Sequence, residues 1–312
     1  MNSLLICLSA ILPIFITVAA GYAAKRAGIV RESEVSRMNA VAFKAFMPVM
    51  CFYNIYTSDL SSAVRPRLMA FTVCAILAVY GLSLAYAVRF VGARERRSVV
   101  VQGLYRSNFL ILGLPFAAGL AGDGNLGVTT VMNAIVAPMF NVLAVITLES
   151  YNGKKVNLRK LLLDILKNPL ILGSMLGLLC LLLGIKLPAP LETAARDMGR
   201  AASPLMLFLL GAFFRLSGAR EHAKELVAVC LGRLVVVPAL ALGVAIALGF
   251  RGIELITLLA IFASSTAVAS FTMAEQMGGD AALAGDIVVM TSALASLTMF
   301  GWSFLFKILG LY

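Results

Sequence analysis

The chain is poor in charge. Only 13% of its 312 residues are Asp, Glu, Lys or Arg, and it holds one histidine and one tryptophan against 61% apolar residues. A soluble globular chain carries about 25% charged and about 45–50% apolar residues, so an ordinary soluble enzyme or binding domain is excluded. The single histidine, His222, lies beside Arg220 and Glu221, and no H-E-x-x-H zinc site or Ser/His pair can be assembled around it. No G-x-x-x-x-G-K-[ST] segment occurs, which removes ATP hydrolysis by this chain as a driving reaction. The five cysteines (Cys7, Cys51, Cys74, Cys180, Cys230) form no C-x-x-C pair and sit in apolar stretches. They are expected to be small core residues, with no zinc framework and no metal site. No Lys or Arg precedes the first apolar run, so residues 3–24 are expected to be a spanning helix and not a cleavable signal peptide.

What is present is apolar and long, with a mean hydropathy of +0.96. A spanning helix needs about 20 apolar residues, and ten runs meet that length: 3–24, 36–56, 67–91, 98–121, 125–148, 160–184, 194–215, 224–249, 253–276 and 281–309. The expected fold class is an all-α polytopic membrane protein of ten transmembrane helices. The second run is the least apolar, because Arg37, Asn39 and Lys44 interrupt it. The net charge of +11 resides mostly in short connections, where it orients the chain in the lipid bilayer and does not bind nucleic acid. With both termini outside, sixteen basic residues fall on the cytoplasmic side and seven on the other. A multi-pass protein of the cytoplasmic (inner) membrane is expected.

An offset of 156 residues superposes Pro13 on Pro169, Gly21 on Gly177, Gly28-Ile29 on Gly184-Ile185, Pro48 on Pro204, Met50 on Met206 and Phe52 on Phe208. Such agreement at one offset implies duplication, with residues 1–150 and 151–312 as the two copies. Five spans per copy is an odd number, so the second copy enters the membrane from the opposite side. Inverted repeats of this kind place a substrate site at the midplane of many secondary transporters.

Those sites use interrupted helices, whose freed N–H and C=O groups meet a polar ligand. In the fourth run, Gly113 and Pro115 predict a break near residues 109–114, close to Asn108. The same offset brings Ser264, Ser265 and Thr266 opposite it. Those hydroxyls can cap an interrupted helix, coordinate a cation, or bond back to the preceding turn. If the helices cross there, the N-terminal ends of their second halves favour an anion. Lys44 or Arg106 is the expected counter-charge, because an ionisable group inside a span is a functional candidate. Asn133, Asn141 and Asp286 are expected to line the same cavity, whereas Arg233 is assigned an interfacial role. Asp123 and Asp280 follow glycines at span ends and read as turn residues and not as a protease pair.

At these residues the chain becomes recognisable. Leu12-Pro13-Ile14-Phe15 with Gly21-Tyr22 and Lys25-Arg26-Ala27-Gly28, Ser107-Asn108 to Gly113-Leu114-Pro115, Asn168-Pro169-Leu170-Ile171, Pro188-Ala189-Pro190-Leu191 and Ala274-Glu275 to Gly279-Asp280 together resemble the bacterial branch of the auxin efflux carrier family. The resemblance implies ten spans in two inverted five-helix repeats, a scaffold and a transport domain, crossing broken helices four and nine, and transport of organic anions such as mono- or dicarboxylates. Where the family has a proline in the ninth helix this chain has Ser265, and Ala269 replaces an asparagine. The expected function is export of a small organic anion by alternating access. A channel or receptor without alternating access is the other class. No cofactor is expected. The coupling ion, H+ or Na+, and assembly as a homodimer stay open.

Overall fold

A computed structural model describes residues 2–58, 64–121, 126–151, 166–214 and 222–312. Expectations placed on Gly122, Asp123, Lys154, Lys155, Arg159, Lys160, Arg215, Arg220 and Glu221 lie outside the described residues. The helices, in chain order, are α1 (Asn2–Arg26), α2 (Glu32–Val41), α3 (Met47–Tyr56), α4 (Pro66–Phe90), α5 (Arg94–Tyr105), α6 (Leu114–Ala121), α7 (Leu126–Tyr151), α8 (Pro169–Leu182), α9 (Ala189–Phe213), α10 (Ala223–Leu231), α11 (Val237–Ala247), α12 (Gly252–Ala263), α13 (Ala269–Met277) and α14 (Ala281–Ile308). Among the described residues no strand occurs beyond one isolated antiparallel bridge, Ser107 with Thr266.

Among the described residues four helical segments are long and apolar enough to cross a membrane: Pro66–Phe90, Gly127–Tyr151, Ala223–Ala247 and Ala281–Ile308. At 1.5 Å per residue, 25 residues span about 37 Å, more than a hydrocarbon core of about 30 Å. The outer faces of Pro66–Phe90, Ala223–Ala247 and Ala281–Ile308 are apolar, as Leu82, Leu240, Leu297 and Phe304 show. In a chain of this composition those side chains meet lipid.

Among the described residues three joints within the helices have a common cause. Single π-helical turns at Ala42–Phe46, Phe109–Gly113 and Gly232–Val236 each stand two residues before a proline, Pro48, Pro115 and Pro238. A proline ring collides with the carbonyl four residues earlier and cannot bond to it. Widening the preceding turn by one residue relieves the collision and keeps the helix continuous. Proline therefore shapes these helices without ending them.

The closest helix packing uses glycine. A Cβ on Gly21 of α1 would collide with the Phe208 carbonyl of α9, and one on Gly177 of α8 would stand 2.6 Å from the Phe52 carbonyl of α3. The 156-residue offset relates Gly21 to Gly177 and Phe52 to Phe208, so the two contacts are the same contact with the copies exchanged. Gly211 against Val18, and Gly173 against Pro48, close the remaining backbone-to-backbone approaches along these seams. Small residues permit such approach, and in lipid it is packing that holds helices together.

Substituting Gly21→Leu or Gly211→Leu is therefore expected to lower the melting temperature of the detergent-solubilised protein markedly, at a cost of about 3 kcal/mol from overpacking. Gly81→Ala, which has open space around it, should be neutral or stabilising by about 1 kcal/mol. Equal melting temperatures for all three would remove the seams from the account.

Candidate functional site

Two helical segments are interrupted where they meet. Helix α5 ends at Tyr105, and Arg106 leaves it in extended conformation (φ −85°, ψ 108°). Helix α12 ends at Ala263, and Ser264 is likewise extended (φ −70°, ψ 161°). The two extended stretches bond to each other: Asn108 N–H donates to the Ser265 carbonyl at 2.7 Å, and Ala267 N–H donates to the Arg106 carbonyl at 3.1 Å. The chain then resumes as helix at Phe109 and Ala269.

The first interruption lies at residues 106–108, ahead of the expected 109–114. Those later residues form the proline-driven π-turn, and Gly113 packs against the Ala260 carbonyl. Pro115 is exposed and Gly113 does not line the cavity described below. Both shape the helix and stand away from the ligand position assigned to them. The second interruption forms without any proline. Thr291 Oγ1 accepts from Thr266 N–H at 3.1 Å, meeting one of its backbone groups from a neighbouring helix, and Thr266 Oγ1 in turn donates to the Gly103 carbonyl of α5 at 2.9 Å. Ser265 Oγ accepts from Ser292 Oγ at 3.2 Å. Ser265 and Thr266 are thus buried fasteners of the crossing, while Ser264 is buried with its hydroxyl unpaired.

One side of the crossing opens into a cavity of about 80 Å³. Phe109–Ile111 and Ala267–Ala269 bring to it the N-terminal turns of both resumed helices, whose first N–H groups have no partner within the helix. Arg106, Ser107, Asn108, Asn133 and Asn141 line it, as do Asn54, Cys51, Ser174 and Ser203 from the neighbouring helices. Asn108 Nδ2, Ser107 Oγ and Ser174 Oγ are buried without a hydrogen-bond partner. A polar atom in that condition costs about 1–3 kcal/mol unless a ligand or water meets it.

Arg106 is 3% exposed. Its Nη2 donates to Asn141 Oδ1 at 2.7 Å, and its Nη1 donates to Gln102 Oε1 at 3.2 Å and to Met273 Sδ at 2.8 Å. Asn141 is held in turn by donation from its Nδ2 to Cys51 Sγ at 3.2 Å. No carboxylate pairs with Arg106 among the described residues. A guanidinium, two amino-terminal helix turns and unpaired amide and hydroxyl groups converge on one small cavity, a setting for an anion.

Three expectations need correction. Lys44 is exposed, because Ala42 and Phe43 take the buried positions of its π-turn, and it does not reach the cavity. Asp286 does not line the cavity; its Oδ2 lies 3.2 Å from Nδ1 of His222. His222 is buried at the start of α10 and also stands 3.6 Å from Asp280, which accepts from Leu283 N–H as the N-cap of α14 and pairs with Arg96 at 3.3 Å. Cys74 is exposed, unlike Cys51, Cys180 and Cys230.

The residue that sequence reasoning missed is Arg233. It is fully buried, and its guanidinium donates to the carbonyls of Ser264 (2.9 Å), Ile261 (3.0 Å), Leu104 (3.3 Å) and Tyr105 (3.3 Å). These are the carbonyl ends of both interrupted helices. Its position nine residues into an apolar run, about 13 Å from the run's start, was the available signal.

A family model described as membrane transport protein matches residues 6–303. An uncharacterized transporter of Methanothermobacter thermautotrophicus is 24% identical over 300 residues, covering 94% of this chain and 96% of the relative. The uncharacterized transporter MJ1031 of Methanocaldococcus jannaschii is 21% identical over 310 residues, covering 96% of this chain and 99% of the relative.

Thr291→Val keeps the shape of the side chain and removes the acceptor for Thr266 N–H. It should destabilise the protein by about 1–3 kcal/mol, read as a lowered melting temperature. Ser296→Ala, away from the crossing on the same helix, should not.

Proposed function

The chain belongs to the auxin efflux carrier family of membrane transport proteins, and from that premise we propose that it is a secondary carrier exporting small organic anions across the cytoplasmic membrane. The observation that carries the anion assignment is Arg106, a buried cation in the cavity with no carboxylate beside it among the described residues. A charge in that position costs about 2.5–3.5 kcal/mol on insertion scales and persists where it has a use. Asn108 and the two helix N-termini complete a site that fits a carboxylate.

The finer architecture belongs to the same proposal. Ten crossings in two inverted five-helix repeats are supported by the 156-residue offset and by the exchanged glycine contacts, Gly21 with Phe208 and Gly177 with Phe52. The joined interruptions at Ser107 and Thr266 are the crossing of helices four and nine. The excess of basic residues on one side supports outside termini. Movement of one helix group past the other then exposes the cavity alternately to the two faces.

In reconstituted vesicles, a panel of mono- and dicarboxylates with and without sodium and a pH gradient should reveal a substrate. Asn108→Ala and Arg106→Gln should each reduce its transport at least tenfold. Neither should lower the melting temperature, and Arg106→Gln should raise it, since a buried uncompensated charge is gone. Undiminished transport by both variants would refute the site. A single cysteine at Ala137 should react from one face at a time; simultaneous access from both would make the protein a channel.

A further inference from the structure

Arg233 does for the carbonyl ends of the crossing what Arg106 and Asn108 cannot, since it lies outside the cavity and touches no group that lines it. Its four acceptors come from two helices that are distant in sequence. Leu104 and Tyr105 close α5, while Ile261 and Ser264 close α12. The last carbonyls of a helix lack intrahelical donors and together carry partial negative charge. Two such ends brought together form a cage of oxygens suited to a cation, and in carriers with broken helices such ends coordinate sodium. Here the cage holds a guanidinium that is 0% exposed and belongs to the chain itself. No carboxylate joins it among the described residues, so the carbonyls alone balance its charge.

We propose that Arg233 is a resident counter-ion, occupying between the two interrupted helices the place a bound alkali cation would otherwise hold. The crossing then keeps its positive charge through the whole cycle and draws no sodium from solution. Its consequence for transport rests on the carrier reading above, whereas the cage itself does not. Arg233 acts through the backbone of α5 and α12 and is a positioning residue.

The test reads stability and needs no substrate. The purified full-length protein is melted in 1–100 mM sodium, potassium or guanidinium chloride, with choline chloride as the inert comparison. Wild type should be indifferent to the cation. Arg233→Ala and Arg233→Gln should melt lower in choline and recover stepwise as sodium or guanidinium fills the vacated cage, while Arg233→Lys should be intermediate and indifferent. A neutral variant that folds without any cation response overturns the proposal, as does a wild type that responds as strongly as the variants. If neither neutral variant accumulates, Arg233→Lys decides: its normal folding supports the proposal, because only the charge is retained, and its failure overturns it.

Where a substrate is known, wild-type transport should not depend on sodium, and a folded neutral variant should gain dependence on sodium or guanidinium of at least fivefold. Absence of transport in wild type counts against the carrier reading alone, since the melting response stands independently of it.

Discussion

Every backbone N–H and C=O inside an apolar membrane must find a partner, because water is not there to supply one. Two interrupted helices at the centre of the protein break that rule twice over, and the rest of the structure is arranged around repairing it. Part of the repair is mutual. Asn108 and Ala267 donate across the crossing to Ser265 and Arg106, so each broken chain completes the other. The remainder is supplied by Arg233, Thr291 and Thr266, which reach in from or across neighbouring helices to the groups the interruption exposes.

The repair is unequal on the two sides. Four carbonyls at the helix ends accept from one guanidinium, and none of those four residues lines the cavity. Amide ends are left open to it, beside an arginine whose neighbours are neutral and beside three side-chain atoms with nothing to bond. The same discontinuity therefore yields a finished joint in one direction and an unfinished polar cavity in the other. Asn108 Nδ2, Ser107 Oγ and Ser174 Oγ stand unsatisfied together at that cavity, at about 1–3 kcal/mol each, a condition that a polar ligand or water would relieve.

Sequence carried the fold further than it carried the site. Apolar runs are helical over their described residues, apart from run ends, the two interruptions and the extended Asn168 that caps α8, because length and hydropathy largely decide what the bilayer accepts. Asn108, Arg106, Asn133 and Asn141 were legible as polar groups in apolar surroundings, and all four line one cavity. Lys44, Asp286 and Arg233 share that property yet stand elsewhere. Burial depends on rotation about the helix axis, and a π-turn advances that rotation by one residue with no mark beyond a proline two residues on. Proline was misleading for a related reason. At Pro115 it widens a turn, whereas α12 stops without a proline because Arg233, Thr291 and Ser292 take over its backbone and side-chain bonds. Such tertiary partners leave no local trace in the segment they interrupt.

The glycine seams have a mechanical meaning. At Gly21, Gly211, Gly173 and Gly177 a carbonyl of the facing helix occupies the space of a missing side chain. Sliding α1 along α9 by one turn, about 5.4 Å, would bring Thr17 or Lys25, the neighbours of Gly21 on the same helix face, opposite that carbonyl. The seams behave as detents, notched surfaces that resist shear while their helices stay in contact. On the carrier reading proposed above, the α1–α9 and α3–α8 pairs would serve as the fixed frame, and the displacement that opens the cavity would be taken up by the helices not locked to them.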